Sequence, residues 1–324
     1  MLTRHDHPAQ PADLQFTEAM VKNLRFGSAY RESGDVAEMR AATERLLAMP
    51  FVRGVDSAVR RESGVVGGVP GEWLIPDRID TNRPTSTLVF FHGGGYVRGS
   101  LALGRSTAAD LARNAGLRCF CPAYRQAPEH RFPAPVDDAV AVCQALVGET
   151  EEGRLLLAGE SAGGGIVVAA AMRLRELERT ARLAAVAAIS PFFDLTQSGA
   201  SWSTNAARDI ATAAMAQRLV DLYADKSDQR HPLASPLFGE FLGLPPLHVA
   251  VGSHEVLLSE SETLACAAAA AGVDVTLEVF DGMPHGFIKY RLEAAQLALE
   301  HAGRWLGRHA QGGSSSRLPA EGLS

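Results

Sequence analysis

The chain is poor in several kinds of residue and pattern, and each shortage closes off a class of protein. Its 324 residues hold four cysteines, Cys119, Cys121, Cys143 and Cys266, none at the C-x-x-C spacing of zinc sites or redox pairs. They exclude a disulfide scaffold and predict buried free thiols in a reducing compartment, which points to the cytoplasm. No block of basic residues occurs, and 31 Lys and Arg stand against 37 Asp and Glu, so nucleic acid is not an expected partner. No stretch is long and apolar enough to span a bilayer. The opening residues M-L-T-R-H-D-H-P lack the apolar core of a signal peptide. Internal repeats are absent too. What remains is a chain 46% hydrophobic and 21% charged, which suits one large globular domain or one domain with an elaboration.

The organising stretch is Arg154 to Ala170, read R-L-L-L-A-G-E-S-A-G-G-G-I-V-V-A-A. Leu155 to Ala158 predict a short buried strand, and an apolar run long enough for a helix follows. Between them lies Gly159-Glu160-Ser161-Ala162-Gly163, a G-x-S-x-G. On a strand-to-helix turn such a serine sits in a strained backbone with its oxygen pushed out above the sheet. A Cβ at either flanking glycine would meet the neighbouring strand and helix. The Ala162 N–H falls at a helix N-terminus, where the backbone dipole favours negative charge. One segment could therefore supply a nucleophile and half an oxyanion hole. The pentapeptide alone also fits a tight turn with an inert serine, so the rest of the chain must decide.

Helix formers fill Ala12 to Tyr30 and Asp35 to Met49, as a layer packed on the core or a lid over a site. Strand-like alternation follows at Phe51 to Arg60 and Gly71 to Ile75. Strands are then predicted at Ser86 to Phe91, Leu117 to Tyr124, Leu155 to Ala158, Leu183 to Ser190, Leu247 to Gly252 and Val275 to Phe280. Helices are predicted at Gly104 to Gly116, Pro135 to Val147, after Ser161, at Glu260 to Ala271 and at Arg291 to His309. The alternation predicts a mostly parallel eight-stranded sheet with helices on both faces and an antiparallel start. The long connection between the sixth and seventh strands, with Ser201 to Lys226, predicts a second lid segment. Residues from about Gln311 onward, with G-G-S-S-S, predict a flexible tail.

Acyl transfer by serine needs a base, an acid to orient it, and donors for the oxyanion. In an open α/β sheet these gather at the carboxyl ends of strands. Phe91 is followed by His92-Gly93-Gly94-Gly95, whose glycines allow a tight loop with N–H groups turned toward a ligand. This matches the H-G-G-G oxyanion motif, whereas a phosphate loop is disfavoured because G-K-S/T is absent. His92 is expected to support the loop by hydrogen bonding. His285, in D-G-M-P-H-G-F after the last strand, is the candidate base. Glu255, in G-S-H-E-V-L after the strand before it, is the candidate acid, in the order Ser, Asp/Glu, His. Asp281 and Glu260 are its rivals.

Together these motifs resemble the hormone-sensitive-lipase-like family of α/β-hydrolases, the bacterial esterases with H-G-G-G and G-D-S-A-G-G. The similarity runs from about residue 85 to 290. It includes Tyr124-Arg125-Gln126-Ala127-Pro128-Glu129-His130, Ser190-Pro191 with Asp194, Ser235-Pro236-Leu237 and His285-Gly286-Phe287. Two departures are Glu160, where many members have Asp, and Glu255, where many have Asp in D-P-L. The resemblance implies Ser161 as nucleophile, His285 as base and Glu255 as acid. It implies an oxyanion hole from Gly93, Gly94 and Gly95, chiefly the last two, with Ala162. It implies a helical cap segment over 1–50, a catalytic domain over 51–310 with a cap insertion at about 198–232, and a tail over 311–324. The implied activity is serine carboxylesterase action on short- to medium-chain acyl esters, without metal or cofactor. A lactone, carbamate or aryl-formamide hydrolase, or a non-catalytic receptor on this fold, is the alternative. A small-molecule ester is the expected partner, and a homodimer accords with the family.

Overall fold

A computed structural model describes residues 1–26, 35–55, 58–79, 86–148, 153–180 and 182–311. The elements in chain order are β1 (Leu2–His7), α1 (Pro11–Phe26), α2 (Val36–Leu47), β2 (Val59–Val66), β3 (Val69–Pro76) and β4 (Thr87–Phe91). Then come α3 (Leu101–Ala115), β5 (Arg118–Pro122), α4 (Ala134–Gly148), β6 (Leu155–Glu160), α5 (Ala162–Glu176) and β7 (Leu183–Ile189). The last are α6 (Ser201–Thr204), α7 (Ala213–Tyr223), β8 (Leu247–Gly252), α8 (Leu258–Ala270), β9 (Val275–Phe280) and α9 (Glu293–His309). Among the described residues the strands form one sheet in the order β1-β9-β8-β7-β6-β4-β5-β3-β2. Pairing is parallel except at β2–β3 and β3–β5, so the antiparallel start lies at one edge.

The sheet has nine strands where eight were expected. The added strand is β1, which pairs in parallel with β9 from Leu2↔Val275 to His7↔Phe280. The sequence hid it because L-T-R-H-D-H is a polar edge segment without apolar alternation. The expected helical segment over 1–50 is thereby corrected at its start. Of the strand expected at Phe51 to Arg60, β2 takes up the end, from Val59, while residues 56 and 57 lie outside the described residues. The tail beyond residue 311 lies outside the described residues. Three cysteines are buried free thiols as expected, but Cys266 on α8 is exposed.

Central strands are apolar on both sides because helices cover both faces. The period of two still sorts their side chains. Leu155 and Leu157 of β6 join one core with Val89, Phe91, Ile166 and Val249, while Leu156 and Ala158 join another with Leu88, Phe90, Leu111 and Leu299. The first core lies toward α4, α5 and α8, the second toward α3 and α9. Every strand from β4 to β9 runs in the same direction, so their carboxyl ends share one rim. The turns after β4, β6, β8 and β9, where the candidate residues fall, are thus brought together by topology alone.

Helix α5 crosses very close to the sheet. A Cβ on Gly163 would land on the Phe91 carbonyl, and one on Gly159 on the Gly163 carbonyl. Gly163→Ala is therefore expected to cost on the order of 1–3 kcal/mol, the range for overpacking. Urea unfolding measures it, and a variant as stable as wild type would contradict this close approach.

Candidate active site

Ser161 stands between β6 and α5 with φ 55° and ψ −120°, a left-handed backbone that a non-glycine residue rarely adopts. Three backbone hydrogen bonds hold it. Its N–H donates to Ile189 O at 2.9 Å, and its carbonyl accepts from Phe192 N at 3.0 Å and Gly165 N at 3.2 Å. The side chain is thereby fixed at the rim. Its Oγ lies 3.0 Å from His285 Nε2, and His285 Nδ1 lies 2.9 Å from Glu255 Oε2. A carboxylate at Nδ1 selects the tautomer with the proton there, which leaves Nε2 to accept from the serine hydroxyl. The three residues named as nucleophile, base and acid are thus within hydrogen-bond reach of one another.

Both rivals of Glu255 lie elsewhere. Asp281 is exposed and accepts from Ser253 Oγ, and Glu260 on α8 accepts from Phe193 N and Trp202 Nε1. Glu255 itself is fully buried. Its Oε1 accepts from Ser190 Oγ at 2.6 Å and Gly252 N at 2.7 Å, so the charge is met by three donors in all.

Sequence reasoning missed a second buried carboxylate, Asp209, from the segment between α6 and α7. Its Oδ1 accepts from His285 N at 2.8 Å and its Oδ2 from Val256 N at 2.7 Å. It so ties the turn carrying His285 to the turn carrying Glu255. Asn205, on the same segment, donates to the carbonyls of Ser253 and Glu255. Neither residue carries a local sequence signal, since each acts on turns some fifty or more positions away. Burial raises Asp209 to about 6, with His285 opposing and the Glu255 charge adding to the rise. Burial pulls the His285 imidazole down, but the hydrogen bond and charge of Glu255 and the charge of Asp209 outweigh it. The net movement is upward from 6.5.

The glycine loop lies beside the serine. Gly94 and Gly95 have φ 120° and 63° and line the cavity with Ser161 and His285. Among the described residues no backbone carbonyl takes the N–H of Gly94, Gly95 or Ala162. A Cβ on Gly94 would land on the Arg98 carbonyl, so the loop admits only glycine there. Gly93 does not line the cavity but packs against Glu160 and Ser161. His92 is buried, stacks on Tyr124 and places Nδ1 2.7 Å from Gly93 O. Burial lowers it to about 4, which keeps it neutral. Behind the serine, Lys289 forms an ion pair with the fully buried Glu160.

The cavity over Ser161 measures about 160 Å³. Its far walls come from Met39 and Leu46 of α2 and from Met215 and Leu219 of α7, with Trp202 and Phe192 at one side. Among the described residues none of helix α1 lines it, and Asp13 of α1 accepts from Glu293 N and Ala294 N at the start of α9.

A serine at a strand-to-helix elbow, an imidazole against it and a carboxylate behind the imidazole form the constellation of acyl-transfer hydrolases. The alpha/beta hydrolase fold family model matches residues 88–289. An acetyl-hydrolase of Streptomyces hygroscopicus is 41% identical over 245 residues, 74% of this chain and 80% of that one. An esterase of Acinetobacter venetianus is 30% identical, over 68% and 73%. The crystal structure of an esterase from the bacterial hormone-sensitive lipase family superposes with TM-score 0.84 at 35% identity, over 93% of this chain and 99% of that one. The chain belongs to the α/β-hydrolase fold family, in its hormone-sensitive-lipase-like branch of esterases, and is a carboxylic ester hydrolase.

Asp209→Asn removes a charge and turns one acceptor into a donor facing a backbone N–H. Hydrolysis of a short aryl ester is expected to fall on the order of tenfold or more, as the loss of a buried hydrogen bond implies. Because the Asp209 charge raises His285, the acid limb of kcat/KM should move to lower pH in the variant. A pH profile beside wild type measures this, and an unmoved limb with unchanged rate would remove Asp209 from the site.

Proposed function

We propose that the chain is a serine carboxylesterase acting on short- to medium-chain acyl esters through Ser161, His285 and Glu255. The carrying observation is the unbroken relay from Ser161 Oγ to His285 to the buried Glu255 carboxylate. His285 takes the serine proton as Oγ attacks the ester carbonyl carbon. The Gly94, Gly95 and Ala162 N–H groups hold the oxyanion, each donor contributing about 3 kcal/mol in the transition state. The alcohol leaves with the proton from His285. Water then repeats the sequence on the acyl-enzyme and releases the acid. Glu255 holds the ring in its tautomer and stabilises the imidazolium without itself taking the proton. The reaction requires no metal or cofactor.

Cavity size supports a small acyl group. At roughly 10–15 Å³ per water-sized group, about 160 Å³ holds on the order of ten such groups. The name of the Streptomyces relative, acetyl-hydrolase, points the same way. Helix α2 and the segment bearing α6 and α7 act as the cap that sets this size, and their apolar side chains receive the acyl chain.

Hydrolysis of p-nitrophenyl esters from acetate to palmitate, for wild type and Ser161→Ala together, tests the reading. Serine-dependent activity should peak at short chains, with Ser161→Ala down by about 10⁴-fold or more and Glu255→Ala by about 10²–10⁴-fold at unchanged fold. Normal turnover by Ser161→Ala would sink the assignment. Only neutral His285 can accept the serine proton, and its pKa is raised. Wild-type kcat/KM should therefore fall on the acid side with an apparent pKa above 6.5.

A further inference from the structure

A second cluster of side chains lies away from the cavity, at the sheet edge under α9. His7 of β1, Glu278 of β9 and His301 of α9 bring one ligand atom each to within 4.8 Å of one another. None lines the cavity over Ser161. The register explains the meeting. His7 pairs with Phe280, and Glu278 points to the same face of the sheet as Phe280, two residues on. His301 comes down from the helix that covers this face. His248 of β8, on the same face, adds a third imidazole, with Nε2 3.3 Å from Glu278 Oε2.

Hydrogen bonding alone does not satisfy this cluster. His301 Nδ1 lies 3.0 Å from Glu278 Oε1, a good bond. His7 Nε2 stands 3.6 Å from the same oxygen, too far for one. Among the described residues the buried atoms His7 Nε2 and Glu278 Oε2 have no hydrogen-bond partner. The Glu278 side chain is 6% exposed, so an unpartnered oxygen there is cut off from water. A cation would take lone pairs from both imidazoles and the carboxylate at once.

The donor set selects the cation. Two imidazoles and a carboxylate suit zinc, at about 2.0–2.2 Å per bond and about 3.4 Å between ligand atoms of a tetrahedron. The observed separations, 3.0 Å and 3.6 Å to Glu278 Oε1, bracket that spacing. His301 is 35% exposed, which provides an entry path and room for a water as fourth ligand. We propose that His7, Glu278 and His301 form a zinc site that pins β1 to the sheet and to α9, with His248 Nε2 facing the other carboxylate oxygen at 3.3 Å. The site is structural: it joins three elements remote in sequence and stands apart from the acyl-transfer residues.

The test uses tag-free full-length protein stripped with a chelator and dialysed. Titration with Zn(II) is expected to show one tight equivalent per chain, and Co(II) a tetrahedral d–d absorption. His301→Ala and Glu278→Gln should weaken binding at least tenfold. Zn(II) should raise the melting temperature of wild type and leave that of His301→Ala unmoved. Glu278→Gln removes a buried group and could unfold the chain, but His301 is partly exposed, and ester turnover by His301→Ala verifies its fold. Absence of a tight equivalent in wild type, or equal binding by wild type and His301→Ala, overturns the proposal. Hydrolysis by the metal-free protein is expected to be unchanged, so failure here is distinguishable from failure of the esterase reading.

Discussion

The strained turn at Ser161 is the constraint on which the rest depends. A non-glycine residue at φ 55° costs on the order of 1–3 kcal/mol and persists only where its surroundings over-determine it. Here they do. Strand β6 is buried along its whole length and so is nearly all of α5. The turn between them is tied to Ile189 on one side and closes on Phe91 on the other through Gly163. Relaxing Ser161 would require moving a helix off two strands. The strain is therefore stored in packing, and the hydroxyl is held out at the rim before any substrate arrives.

A serine so fixed keeps its contacts only if its partners are as rigid, and they come from loops. Burial solves this electrostatically. A carboxylate out of water must be met by donors, and Glu255 is met by Ser190, Gly252 and His285, each from a different part of the rim. The same demand that keeps Glu255 stable locks three loops to one another. Asp209 repeats the device one layer out, binding backbone N–H groups of the two turns that carry Glu255 and His285. Two negative groups beside one imidazole overcome the burial that would otherwise keep it from charging. That balance suits the proton transfer proposed for His285.

Legibility followed the range of the interactions. The alternation of strand and helix, the serine elbow, the glycine loop and the place of His285 in its P-H-G turn were all readable because each is a local pattern with a local physical cause. That Glu255, rather than Asp281 or Glu260, lies beside His285 was readable from chain order, since topology stacks the turns after successive parallel strands. Strand β1 was not, because an edge strand needs no apolar period and its pairing with β9 spans most of the chain. Nor was Asp209, whose work is done on backbone groups of turns distant in sequence. Long-range polar contacts leave no period to count.

The place of Asp209 also bears on the cap. Its segment supplies Trp202, Ile210 and Met215 to the cavity wall, and from the same stretch Asn205 and Asp209 grip the turns of Glu255 and His285. Cavity-lining side chains and side chains that hold these turns thus share one short length of backbone. A shift of that backbone to admit a larger acyl group would pull on the His285 amide and on the Val256 amide beside Glu255. Hydrogen bonds of 2.7 and 2.8 Å to a buried carboxylate do not stretch cheaply. The size of the pocket and the pose of the imidazole are therefore not independent variables in this fold. Widening the cavity from the α2 side, where Met39 and Leu46 touch the space without touching the relay, leaves the imidazole undisturbed.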